Sequence, residues 1–199
     1  MFHPSGDRER IYATLRDDVT AWQVVHAGTL VFIALMGAAL YVLTRDLQGR
    51  AALISRLAVG PFVVLYGAYE AVIGLATGAL VQHGNDVPAD EQGAVSSAIQ
   101  SLQDNVIIGD PGIVGSIGAI AWIVAVVAAV VAFRRAGASL PALVLLAISA
   151  LVVSHPPPIG PIALAAFAGA VGLLALDGHR SLAAQAPAPP AGPAIPAGG

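Results

Sequence analysis

Five apolar blocks constrain this chain more than any other feature of it: residues 22–44, 57–81, 113–133, 140–154 and 159–176. Across all five, Glu70 is the one Asp, Glu, Lys or Arg. A helix that crosses a bilayer needs roughly 20 mostly apolar residues, and it satisfies every backbone polar group internally. The blocks therefore predict an all-α integral membrane protein, a bundle of five transmembrane helices. The fourth and fifth blocks are short and separated only by His155-Pro156-Pro157-Pro158, so a re-entrant pair is the alternative there. The chain divides into a polar segment 1–21, a five-span domain 22–180 and an Ala/Pro/Gly-rich tail 181–199 with no periodic apolar face.

Composition agrees. The chain is 57% hydrophobic and 11% charged, whereas a soluble domain carries roughly a quarter charged residues. Mean hydropathy is +0.79. A net charge of −3 and the absence of any basic run argue against a nucleic-acid partner. Without cysteine there are no disulfides, thiolate metal sites or cysteine nucleophiles. The sequence holds no Walker loop, nucleophile elbow or haem motif, so neither an enzyme nor a cofactor is expected.

Orientation is read from arginine, because the chain has no lysine. Arg45, Arg50 and Arg56 fall between spans one and two, Arg134 and Arg135 between three and four, and Arg180 after span five. Connections 82–112 and 155–158 contain none. Basic residues collect on the cytoplasmic side, which puts the amino terminus outside and the carboxyl terminus inside, against Arg8, Arg10 and Arg16. Block 22–44 is too long and starts too late for a cleavable signal, and is expected to stay. Trp22 is expected to anchor its outer end, and residues 9–21 to lie along the surface as a short helix or a partly ordered tail.

The outer loop 82–112 has a pattern of its own. Val95, Ile99 and Leu102 recur at helical spacing, and Pro88, Asp90 and Glu91 supply a start signal. A short amphipathic helix between spans two and three is expected, either at the interface or as a lid. Asp110-Pro111-Gly112 should cap span three, and Ser139 with Pro141 span four.

Glu70 is the residue that asks for a function. An ionisable group within a span is costly and should face the protein interior, paired or protonated. Gly60, Gly67 and Gly74 recur every seven residues and Gly78 completes a GxxxG step, so they predict a glycine-lined packing face shared with Glu70. Tyr66, Tyr69 and Thr77 add polar groups to the same stretch. Three roles are open to Glu70: a helix-registering hydrogen bond, a proton- or cation-binding carboxylate in transport, or a pair with a basic residue of another subunit. Gly60-Pro61 adds a site of helix interruption, and Gly160-Pro161, which could pair with it as a second interrupted helix, reads better as an ordinary helix start. His26, His83 and His155 all fall toward the outer side; His83, Asp86 and His155 are weak candidates for a divalent metal.

The span containing Tyr66-Gly67-Ala68-Tyr69-Glu70-Ala71 and the turn Ser154-His155-Pro156-Pro157-Pro158-Ile159-Gly160-Pro161 resemble those of small uncharacterised multi-spanning membrane proteins of high-GC actinobacteria. That resemblance implies a bacterial cytoplasmic membrane and carries no activity. A non-enzymatic accessory or structural subunit, assembling as a homo-oligomer or with a membrane partner through the glycine faces, leads. A proton-coupled transporter using Glu70 follows, and an outer-facing metal-dependent enzyme is a distant third.

Overall fold

A computed structural model describes residues 11–110, 112–154 and 158–185. The elements in chain order are α1 (Ile11–Leu15), α2 (Val19–Thr44), α3 (Arg50–Asp86), α4 (Gln92–Gln103), α5 (Ile113–Arg135), α6 (Leu140–Val153) and α7 (Ile159–Gln185). Four helices, α2, α3, α5 and α7, are long and apolar enough to cross a membrane. Large apolar side chains cover their outer faces, among them Val31, Phe32, Leu35, Leu57, Val64, Ile120 and Val127. An outer surface of that kind is stable against lipid and not against water.

The fifth expected span is shorter than the rest. Helix α6 runs from Leu140 to Val153, and its last turns, Ser149–Val153, tighten into 3-10 geometry. At 1.5–2.0 Å per residue it reaches about 23 Å, below the roughly 30 Å of a hydrocarbon core. Ser139 N–H donates to Asp177 Oδ2 at 3.0 Å, so the far end of α7 lies beside the start of α6 and the two form an antiparallel hairpin. Ser139 makes no capping bond of its own; Asp177 does that work from another helix.

Helix α3 departs most from a regular cylinder. Two π-helical stretches, Phe62–Tyr66 and Ala71–Ala76, follow Pro61 and bracket the short α-helical piece Gly67–Glu70. Proline removes one backbone donor from the ladder, and each π turn holds more residues than an α turn. The seven-residue glycine register is therefore lost: Gly60 is exposed with open space where a Cβ would be, while Gly74 and Gly78 are buried against α2. The expected single glycine face does not form.

Close approach elsewhere depends on small residues of α5. A Cβ on Gly118 would stand 2.5 Å from the Tyr66 backbone nitrogen, and one on Gly115 would stand 2.7 Å from the Tyr69 ring. With Ala125 and Ala129 these let α5 seat against α3. Trp122 fills the centre at 0% exposure, 4.5 Å from the Phe62 ring and 5.7 Å from Phe167, with its Nε1 donating to Ser149 O at 3.0 Å.

A second, smaller core forms where α3 outruns its neighbours. The helix is about 55 Å long, nearly twice the hydrocarbon thickness. Its projecting end carries Val81, which packs with Tyr12 and Leu15 of α1 and Ile99 of α4. Tyr12 Oη donates to Asn85 Oδ1, and Asn85 Nδ2 donates to Arg16 O. The amphipathic helix expected in the outer loop is present as α4, with Ile99 buried and Val95 and Leu102 half-buried. At the opposite end, Arg56 donates to Thr44 O at 2.6 Å and Leu47 O at 3.2 Å, which closes the carboxyl end of α2.

Candidate functional site

The site is assembled from α2 and α3. On α2 the buried residues His26, Ile33, Met36, Gly37, Leu40 and Thr44 define one inward stripe. On α3 the piece between the two π turns presents Tyr69 and Glu70 inward. The helices run antiparallel, and Gly74 lets them touch: a Cβ there would overlap the His26 ring. The contact brings His26 Nε2 to 3.9 Å from Glu70 Oε2, with His26 3% and Glu70 1% exposed.

The histidine tautomer follows from its other nitrogen. His26 Nδ1 lies 2.9 Å from Trp22 O, and a carbonyl oxygen can only accept, so Nδ1 carries its hydrogen. Nε2 is then the nitrogen that gains or loses a proton, and it faces the carboxyl group. One proton shared by the pair leaves the buried site neutral, whichever partner holds it. Trp22 holds the arrangement from above: its ring centroid is 4.1 Å from that of His26, and its Nε1 donates to Gly74 O at 2.8 Å. Gly74 lies within a π turn, where carbonyls leave the regular ladder and take side-chain partners readily.

Glu70 sits nearer one end of the bundle than its place in the sequence implies. Gly118 of α5 meets Tyr66, Gly115 meets Tyr69, and Tyr69 Oη donates to Asp110 Oδ1 at 2.9 Å. Glu70 is thus level with the first turn of α5, not with its middle, and lies on the side of the connection 82–112. Asp110 does not cap α5, whose N-cap residue is Gly112; it receives the Tyr69 hydroxyl instead.

His26 and Glu70 also line a cavity of about 440 Å³ between α2, α3 and the start of α7. Its walls are mostly apolar, from Val24 and Val25 through Phe32 and Ile33 to Met36, with Phe62, Val152, Pro161 and Leu164 opposite. Val24, Phe32 and Pro161 are exposed, so the mouth opens sideways through the lipid-facing surface. Thr29 and Tyr66 are the other polar side chains on the wall, and Tyr66 Oη donates to Val153 O at 3.2 Å.

Other expected site residues go elsewhere. Thr77 is buried and accepts from Gln103 Nε2 at 2.9 Å, so it secures α4 and does not extend the Glu70 stripe. No residue of α4 lines the cavity, so that helix does not cover it. Gly67 approaches Leu30 at ordinary contact distance, Gly74 receives His26, and Gly78 receives Gln23 and Trp22. His83 and Asp86 are exposed at the end of α3, and His155 lies outside the described residues. Among the described residues no cluster of three or more His, Asp or Glu could hold a metal.

His26 and Trp22 are the residues of this site that sequence reasoning did not join to Glu70. The available signal was register: His26, Ile33 and Leu40 are seven residues apart, on a stripe that also carries Gly37 and Thr44. Comparison with protein-family models, curated proteins and solved structures gives no match. Geometry alone carries the functional reading.

Proposed function

We propose that this chain is a non-enzymatic, multi-pass membrane protein whose working element is a proton-exchanging His26–Glu70 pair, serving as a small proton-coupled transporter or permease. The observation that carries this reading is the placement of the buried pair on the wall of a lipid-facing cavity. A purely structural pair gains nothing from a cavity beside it, whereas a transport site needs one. Ionisable residues within spans are rare, pair with one another, and mark ion, substrate and proton pathways.

The test is direct. In proteoliposomes the wild-type chain should move protons down an imposed gradient, and Glu70→Gln and His26→Gln should not. The carboxyl infrared band should shift between about pH 5 and 9 in the wild type and be missing in Glu70→Gln. A band that stays fixed across that range rejects the reading.

We also read α6 and α7 as crossing together, which gives five spans with the amino terminus outside a bacterial cytoplasmic membrane and the carboxyl end inside. Supporting this, Arg45, Arg50, Arg56, Arg134 and Arg135 all belong to the end of the bundle where α2 and α5 finish. The chain has no cysteine, so single-cysteine labelling of exposed positions in 82–112 and 136–138 tests the orientation on an empty background.

A second reading, the accessory subunit, is favoured by one observation: Gly60 faces outward with open space above it. Gly74 and Gly78, which made assembly attractive, are already used within the chain. Crosslinking through position 60 that yields a defined dimer or a single partner would move this reading to the front.

A further inference from the structure

The geometry points to a ligand class for the cavity: a linear amphiphile with a cationic head and one alkyl chain, exchanged against a proton at His26 and Glu70. This rests on the proton-exchanging reading above and adds the substrate to it. The cavity is long, since its wall follows α2 from Val24 to Met36, about 18 Å at 1.5 Å per residue. Its polarity is graded along that length. His26, Thr29 and Glu70 lie toward the outer-loop end, and Phe32, Ile33, Met36, Phe62 and Leu164 continue into the hydrocarbon region. A mouth that opens through the lipid-facing surface admits a molecule already in the bilayer, with its head near the interface and its tail parallel to the helices.

The head is assigned by charge. Glu70 is the one acid on the wall, and among the described residues no arginine lines the cavity. Tyr66, one turn before Glu70, brings an aromatic ring to the wall near the head, and a cation is drawn to the negative face of a ring. The other titratable groups around the pair are Tyr66 and Tyr69 on the helix of Glu70 and Asp110 before α5; Tyr66 donates to Val153 O and Tyr69 to Asp110, α6 contributes Val152 to the wall, and α7 contributes Gly160, Pro161 and Leu164. An anionic head would have only a protonated His26 to meet it, beside a carboxylate.

Charge balance then requires proton release. The empty pair shares one proton and is neutral. When a monocation settles against the Glu70 carboxylate, His26 must be neutral for the site to stay so, and the shared proton leaves. One cation enters and one proton departs, with no bond other than that to hydrogen made or broken.

Three ten-carbon probes with different heads test this: decyltrimethylammonium, decanol and decanoate, titrated calorimetrically into the full chain in nanodiscs. Measuring in two buffers of different ionisation enthalpy gives the protons released. Decyltrimethylammonium should bind with release of about one proton, and about thirtyfold or more tighter than to Glu70→Gln. Decanol and decanoate should bind more weakly and release none. Equal binding of all three, or preference for decanoate, overturns the proposal. The comparison among heads uses wild-type protein alone, so it stands even where Glu70→Gln fails to fold. A carboxyl band that responds to pH without cation binding overturns the ligand and leaves the proton-exchanging pair; a band that does not respond removes both.

Discussion

Gly74→Ala set beside Gly60→Ala separates the folded arrangement from the seven-residue register that the sequence suggests. In a regular helix both glycines share a face, and an added methyl should act alike at each. In the structure a Cβ at Gly74 overlaps the Cβ, Cγ and Cδ2 atoms of His26, while one at Gly60 meets nothing within 4 Å. The near part of His26 cannot swing aside as a flexible chain end can, so α2 and α3 must separate. Overpacking of this kind costs about 1–3 kcal/mol. The Trp22 Nε1 bond to Gly74 O lengthens with it, and such bonds in membranes are worth about 0.6 kcal/mol on average. Alanine returns up to about 1 kcal/mol of backbone entropy at either position. The net expectation is a loss of about 1–3 kcal/mol for Gly74→Ala, and no change or a gain of up to about 1 kcal/mol for Gly60→Ala. Unfolding by SDS in mixed micelles, followed by far-ultraviolet circular dichroism, measures both. Trp22 emission should change in Gly74→Ala alone, because Trp122 lies in the α5 core. Equal stability of the two variants would refute the packing of α2 on α3 described above.

Thr77→Val should cost about 1–3 kcal/mol by stranding the buried Gln103 amide, and the double variant Thr77→Val/Gln103→Leu should recover most of it. Hydrogen exchange across 92–103 would report the detachment of α4. Arg56→Ala should cost about 1–2 kcal/mol by uncovering the Thr44 and Leu47 carbonyls, with Lys restoring more than half, because one nitrogen, Nη1, serves both carbonyls and a single ammonium can do the same. SDS unfolding of the two variants checks this ordering. Nitrogen-15 spectra of His26 should show Nδ1 protonated throughout, with pH-dependent change confined to Nε2; titration at Nδ1 would contradict its bond to Trp22 O.

What the sequence made legible followed from the cost of exposing backbone or charge to hydrocarbon. The long apolar blocks became α2, α3, α5 and α7, and Glu70 turned inward. Val95, Ile99 and Leu102 marked α4 because a half-buried helix must repeat its apolar positions. Failures cluster where a local signal was answered by a distant group. Asp110 had the position of a cap and went to Tyr69; Ser139 had it too and received Asp177 instead. His26 looked like an interfacial residue because its partner is a helix away. The π turns of α3 are invisible to a period fixed at 3.6 residues, so Gly60 drifted off the face that Gly74 and Gly78 share, while Glu70 kept to the interior.

The π turns make α3 unevenly sensitive to length. Each π turn accommodates one residue more than an α turn, as a helix does after a single insertion. Removing one residue between Ala71 and Ala76 would let the segment relax to α geometry while the helix on either side keeps its facing. Glu70 would stay where α5 holds Tyr66 and Tyr69, and Gly78 and Val81 would stay toward Gln23 and Ile99. Between Thr77 and Asp86 there is no extra residue to give up, and a one-codon deletion there would turn everything after it by about 100°. The cavity wall and the core around Val81 are thus coupled by a residue count in the regular part of the helix and uncoupled in the π turns.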